Sequence, residues 1–409
     1  MTATTEPAVS PPPLARPRGF VPFVAACMSM VALSIDTMLP AFDEIRAAFG
    51  LPADSPDVSW VITAFFLGLA AGQLFFGTLS DRYGRKPLLL AGLAIYLAGA
   101  VVSVLAPTFP LLIVGRVIWG IGAAGPRSVA VAMVRDTSSG VAMARTMSFA
   151  MTIFMLVPVL APTLGAVLLA VFPWRSVLWA PGFGALLLVL WVVRMPETLA
   201  VERRRAIAPR VIADGARTVF RTPATMWLGL STTLMFGAMA TYLGTSELIV
   251  SETYDLADAY PYLFGGIALA MAVGGLVNSR LVVHFGVRRL LRGAAVAQVA
   301  ATVVFAAVTF AFDGAPPVAL FCLCLVFVLG GTNLVMPNAN TAAMEPMGAV
   351  AGIASSILGV VMTAGGALIA AVVSGASDGT VTPLAVGMLV LIVASALAVF
   401  RGTPARRPA

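Results

Sequence analysis

The stretch Gly77-Thr78-Leu79-Ser80-Asp81-Arg82-Tyr83-Gly84-Arg85-Lys86-Pro87 gathers four charges into one short turn. On either side lies an apolar run without a charged residue, read as spans at 58–79 and 87–106. At 1.5 Å per residue each run reaches about 30 Å, the thickness of bilayer hydrocarbon. The spacing therefore predicts two membrane-crossing helices joined by a turn at one face. Outward from that turn the pattern recurs, with spans at 20–42, 110–134, 145–171 and 176–195. After a polar stretch come 224–250, 260–283, 290–312, 316–341, 347–374 and 382–401. The chain is 60% hydrophobic and 11% charged, against roughly 25% charged for a soluble domain. Helices alone satisfy the backbone over such runs in lipid. The expected fold is an all-α polytopic membrane protein of twelve transmembrane helices.

The basic residues orient it. Of 25 Lys and Arg, 21 fall on one face if the N-terminus is cytoplasmic, among them Arg82, Arg85, Lys86 and the Arg203-Arg204-Arg205 run. Arg46 and Arg175 fall on the other face, while Arg116 and Arg127 lie inside the fourth span. The opposite loops carry Asp43, Glu44, Asp54, Asp57, Glu252, Asp255, Asp258, Asp313 and Asp378. This asymmetry predicts a multi-pass inner (plasma) membrane protein with both termini cytoplasmic. The formal charge of +7 is thus topological, and no nucleic-acid partner is expected. The first span follows Arg16 and Arg18, lacks a small-x-small cleavage site and continues through Asp36 and Pro40, so it reads as uncleaved. The expected organisation is a tail (1–19), a six-helix bundle (20–195), a linker (196–223), a second six-helix bundle (224–401) and a tail (402–409). The linker reads as solvated, partly amphipathic and lying on anionic lipid.

Other chemistries find no residues. Cys27, Cys322 and Cys324 lie in apolar runs, and His284 is the one histidine, so no metal site or cofactor is expected. Lys86, the only lysine, is not in a G-x-x-x-x-G-K-[ST] loop, which excludes an ATP-driven pump. No nucleophile–base pair supports an intramembrane enzyme, and a receptor has little to support it.

The charged turn resembles motif A of the major facilitator superfamily. All six defining positions match: Gly77, Asp81, Arg82, Gly84, Arg85 and Lys86. A worn copy stands in the matching place of the second half, where Asn278-Ser279-Arg280 leads to His284-Phe285-Gly286-Val287-Arg288-Arg289 with the aspartate gone. Pro196-Glu197-Thr198-Leu199 is also familiar from that family. Leu112-x-x-x-Arg116-x-x-Trp119-Gly120-x-Gly122-Ala123-Ala124 is similar to motif B of proton-coupled members, with tryptophan at the usual polar position. Ala161-Pro162-Thr163-Leu164-Gly165-Ala166 resembles the antiporter motif, two glycines having become alanines. Leu33-Ser34-Ile35-Asp36-Thr37-Met38-Leu39-Pro40 and the region Gly331 to Ser356 resemble the bicyclomycin- and chloramphenicol-resistance group of drug:proton antiporters. The resemblance implies two pseudo-symmetric six-helix halves and proton-coupled efflux of small molecules, such as drugs or antibiotics, by alternating access, in a protein functional as a monomer. The competing reading is a proton-coupled importer or exporter of a metabolite such as a sugar, an amino acid or a metallophore.

Ionisable residues at membrane depth are costly and so are candidate functional residues. Asp36 lies about 24 Å into the first span and Arg116 about 9 Å into the oppositely directed fourth, at similar depth, which permits an ion pair. That pair is either a static strut or the proton-coupling element. Arg127 falls within about 20° of the same helix face as Arg116, and either lines the cavity or meets a carbonyl. Glu247 is either a second acidic site or exposed at the interface. Trp119, Met155, Tyr242, Asn333 and Asn338 are further candidates for the substrate cavity, the polar ones because a polar tip at that depth needs a partner. Asp136, closing the fourth span, is expected to meet Asp81 and Arg85 in a cytoplasmic gate, with Asp81 also able to face the start of the eleventh span.

Overall fold

The computed structural model describes residues 19–404 apart from 139 and 205–208. Expectations for the N-terminal tail, for Arg205 and for Arg406 and Arg407 fall outside the described residues. Fourteen α-helices carry the described chain: α1 (Phe20–Asp36), α2 (Phe42–Phe49), α3 (Trp60–Tyr83), α4 (Arg85–Leu105), α5 (Phe109–Thr137), α6 (Gly140–Val171), α7 (Ser176–Arg194), α8 (Pro209–Arg221), α9 (Pro223–Leu248), α10 (Tyr260–Phe285), α11 (Val287–Ala311), α12 (Val318–Met344), α13 (Ala351–Ser374) and α14 (Thr382–Gly402). Among the described residues twelve helical stretches are long and apolar enough to cross a membrane, the first being α1 continued by α2. Among the described residues there is no β-strand.

Two stretches differ from expectation. The first span does not run unbroken to 42. It stops at Asp36, passes through a 3-10 turn at Leu39–Ala41 and resumes as α2. Pro40 supplies no amide and disfavours helix at the residue before it, so the break falls where the sequence puts the proline. The linker, in turn, contains α8. Its Val219 is buried, and its Gly215 faces Ile353 of α13 so closely that a Cβ would meet that side chain at 2.7 Å. Helix α8 is thereby docked on the second half, a contact that the reading of a solvated stretch lying on lipid did not include.

Helices α1 to α7 form one half and α9 to α14 the other. In the first half, α5 packs tightly on α3 because glycines let the backbones meet. A Cβ on Gly120 would lie 2.0 Å from the Phe65 carbonyl, and one on Gly68 as near that of Val117. Across the halves, α3 packs on α13 and α6 on α10. The charged turn and its worn copy occupy equivalent places, each pivoting on a glycine in the left-handed region, Gly84 (φ 104°) and Gly286 (φ 72°). The end holding these turns is called the basic face below, and the end holding α2 the acidic face.

Candidate functional site

Asp36 ends α1 and is only 4% exposed. Among the described residues it has no ion-pair or side-chain hydrogen-bond partner. Tyr242 of α9 and Tyr260 of α10, both from the other half, lie within electrostatic range of it. Tyr242 stacks on Phe264 at 5.6 Å, and the Tyr260 hydroxyl lies 3.1 Å from that of Ser246. From its own half comes α6, whose Gly165 sits against the broken end of α1. A Cβ there would meet the Thr37 carbonyl oxygen at 2.1 Å. The glycine retained in the antiporter-like stretch thus packs α6 beside the carboxylate.

Arg116 does not pair with Asp36 among the described contacts. Its Nη1 donates to the Ser34 carbonyl and its Nε to that of Val61, each at 3.1 Å. Its guanidinium lies over the rings of Phe65 (4.6 Å) and Trp119 (5.0 Å), and Nη2 is buried without a partner. The helix break is the reason. The Met38 amide donates to Ile35 instead of Ser34, so the Ser34 carbonyl, one of the last of α1, is free to accept from the arginine. Equal depth left the direction of the side chain open, and the freed carbonyl decided it. Trp119 corrects another expectation. It is wholly buried between α5 and α4, edge-on to Tyr96 at 5.4 Å and against Gly99, and so fills the interior of its own half instead of facing the other one.

At the acidic face the halves are tied together. Arg46 of α2, 2% exposed, donates through Nη2 to Glu247 Oε2 at 2.9 Å and through Nη1 to Asp43 at 2.5 Å. Its Nε reaches the Ser55 carbonyl at 3.2 Å. Glu247 is 5% exposed; it is neither interfacial nor open to a cavity, because the arginine occupies it. Ser251 donates to the second oxygen of Asp43 at 3.4 Å. Below this, Phe66 meets Phe236 edge-on at 5.0 Å, and the cleft between Ser59 and Gly244 leaves no room for a water molecule. Sequence reasoning did not single out Arg46 as a site residue. The signal was there: it stood on the wrong face for an arginine. The other such exception, Arg175, donates to the carbonyls of Val104 and Ala106 and so closes the end of α4.

The basic face is arranged differently. Arg85, 3% exposed, donates to Asp81 (2.6 Å), Ser80 (2.8 Å) and Asp136 (2.7 and 3.3 Å). Asp81 has no recorded partner from the start of α13, although Gly77 comes close to Ser356 of that helix. Arg82 lies over the Tyr83 ring at 5.2 Å, and Lys86 donates to the Val193 carbonyl at 2.8 Å. Glu197 joins them, accepting from the amides of Arg85 at 3.0 Å and Lys86 at 3.1 Å. Its carboxylate caps α4, where free amides and the helix dipole favour an anion. Sequence reasoning noted its tetrapeptide and assigned it no role. Every ion pair in this cluster stays within the first half.

The remaining candidates are dispersed. Asn333 donates to the Met271 carbonyl and Asn338 to the Asn278 side chain, each at 2.6 Å, so both brace α12 against α10. Met155 reaches across the halves to Gly275. Arg127 is half-buried and has no recorded partner among the described residues. Among those residues no cluster of three or more His, Cys, Asp or Glu is placed to hold a metal.

Twelve membrane-length helices in two repeated halves, meeting across a seam that an ion pair closes at one end, define a multi-pass membrane transporter. The profile of the Major Facilitator Superfamily matches residues 23–371, and the chain belongs to that family. It is 27% identical over 370 residues to a bicyclomycin resistance protein homolog of Haemophilus influenzae, covering 90% of this chain and 91% of that one. It is 30% identical over 383 residues to the uncharacterized MFS-type transporter YdgK of Bacillus subtilis, covering 91% and 92%. Multidrug resistance protein MdtL of Escherichia coli is 29% identical over 330 residues, covering 79% and 80%. Among solved structures, the fold matches a D-xylose-proton symporter with a TM-score of 0.73 at 14% identity, over 94% of this chain and 98% of that chain.

Proposed function

We propose that the protein is a proton-driven exporter of small drug-like molecules, acting as a monomer in the inner membrane with its basic face and both termini cytoplasmic. The names of its relatives and the antiporter-like stretch at Gly165 support the direction. The observation that carries the coupling is Asp36, a carboxylate buried at the seam between the halves with no counter-charge paired to it among the described residues. A proton taken up there removes the charge, and the seam can then close over a neutral side chain. Arg116 does not compete as its ion partner; it fixes the broken end of α1 and thereby positions the carboxylate. The half-buried Arg127 supplies positive charge toward the basic face, and Met155, Tyr242 and Phe66 give an adaptable apolar wall on which different substrates can pack. The Arg85 cluster holds the basic end of the first half together as one unit, so that the basic face opens where Gly77 meets Ser356.

The test uses everted membrane vesicles with a fluorescent pH dye and a panel of antibiotics. Wild-type protein should release protons from acidified vesicles on adding a substrate. Asp36→Asn should insert normally and show no proton release, with substrate binding no longer dependent on pH. Full proton-driven transport by that variant would refute the coupling role. Protons entering the cell together with the substrate would refute export.

A further inference from the structure

The turn before α4 and the turn before α11 are one device built twice: a glycine in the left-handed region, then a helix start carrying basic residues. In the first half the anion position at the helix start is filled from within, because Glu197, just after α7, accepts the amides of Arg85 and Lys86. In the second half the residues just after α14 are Thr403 and Pro404, which carry no carboxylate. In place of one there is a cleft of about 590 Å³, bounded by Val287, Arg288, Arg289, Arg292, Glu345 and Thr403.

The charges in that cleft are unbalanced. Three arginines face one carboxylate, which Arg288 engages at 2.9 Å. Arg292 donates to the Thr403 hydroxyl at 3.0 Å. Arg289 has no recorded partner among the described residues, and no side chain among them accepts from the first amides of α11. Basic side chains converging on free helix-start amides are the physical recipe for a phosphate site. The cleft also adjoins apolar surface. Phe400 lies under Arg292 at 5.8 Å and is 43% exposed. Val296, one turn along α11 from Arg292, is 56% exposed, and Leu397 on α14 is 59% exposed. A basic cleft beside exposed apolar side chains at a membrane surface suits an amphiphile better than a free anion.

We infer that this cleft is a binding site for an anionic phospholipid, its phosphate taking in the second half the place that Glu197 holds in the first. The acyl chains would lie along the exposed faces of α11 and α14. The inference needs only that these helix ends reach a membrane surface, so it stands whatever the substrate or direction of transport.

The test titrates the purified full chain with cardiolipin, phosphatidylglycerol or phosphatidylcholine, counting bound lipid by native mass spectrometry. The wild type should retain cardiolipin and phosphatidylglycerol in preference to phosphatidylcholine. Arg289→Gln with Arg292→Gln should weaken cardiolipin binding about twenty-fivefold, about fivefold for each charge near the surface. Glu345→Gln should strengthen it about fivefold, and Arg194→Gln at the basic end of the other half should leave it unchanged. Arg289→Lys with Arg292→Lys, which keeps the charge, should retain most of the binding and so separates lost charge from lost fold. Equal binding by wild type and the double glutamine variant, or no preference for anionic lipid, would overturn the inference. So would inorganic phosphate shielding Arg289 from a guanidinium-directed reagent when cardiolipin does not, since the site would then belong to a soluble anion.

Discussion

At the acidic face the main ion pair crosses from one half to the other; at the basic face each ion pair among the described residues stays within one half. Arg46 belongs to the first half and Glu247 to the second, and both are buried. Arg85, Asp81, Asp136 and Glu197 all belong to the first half, and Arg288 and Glu345 to the second. Contacts that exist in one state only bias the equilibrium by their differential energy. Opening the acidic face must therefore break a buried ion pair, whereas opening the basic face separates Gly77 from Ser356 and Met155 from Gly275 with no recorded ion pair lost.

The largest effect should come from breaking the crossing pair. Glu247→Ala leaves Arg46 buried without its main partner, which typically costs about 3–5 kcal/mol. Asp43 remains on the arginine and should hold the cost near the lower figure, which is still over a hundredfold in a population ratio. Single cysteines placed near Ser59 should become over a hundredfold more reactive to a membrane-impermeant reagent. Arg46→Met combined with Glu247→Leu should restore much of the closure, since an apolar pair of similar volume removes both charges. Unchanged labelling in Glu247→Ala would show that the apolar contact of Phe66 with Phe236 closes that face without help.

A smaller effect is expected at Arg85, and of a different kind. Asp136→Asn keeps an acceptor near Arg85 but removes a charge, and a hydrogen bond to a charged group is worth about 1.5–3 kcal/mol against about 1 for a neutral one. Because both residues lie in one half, the loss should appear as a lower melting temperature of the purified protein. The labelling ratio between the two faces should change by less than about threefold. A large change in that ratio would make the cluster a gate in its own right, through contacts formed in another state.

The contrast between the faces also explains what could be read beforehand. The twelve spans were legible because hydrocarbon demands long charge-free runs, and the repeated halves because the charged turn recurs with Gly84 and Gly286 in matching places. The pairing of charges was not legible. Depth along a helix follows from counting, but azimuth does not, so Asp36 and Arg116 come out level and unpaired. Their separation depends on the Ser34 carbonyl, freed at the local break where the Met38 amide turns to Ile35. Glu247 was legible as an oddity and Arg46 as an exception to the charge asymmetry. Only folding brings the two together, from positions 201 residues apart.

The smallest effect should come from Arg288 and Glu345, which sharpen the comparison because their separation, 2.9 Å, is the same as that of Arg46 and Glu247. Distance is thus held constant while burial changes. The side chains of Arg288 and Glu345 are 52% and 61% exposed, against 2% and 6% for the crossing pair. Exposed ions keep most of their hydration, and the Coulomb gain at high dielectric is largely offset by the entropy of fixing two long side chains. A double-mutant cycle with Arg288→Gln and Glu345→Gln should give a coupling of at most about 0.5 kcal/mol, and less at high salt. The same cycle on Arg46 and Glu247 should give several times that value and depend little on salt, because buried charges are poorly screened. Equal couplings would mean that the acidic face is wetter than its packing shows, and that Arg46 and Glu247 are a surface pair that happens to span the seam.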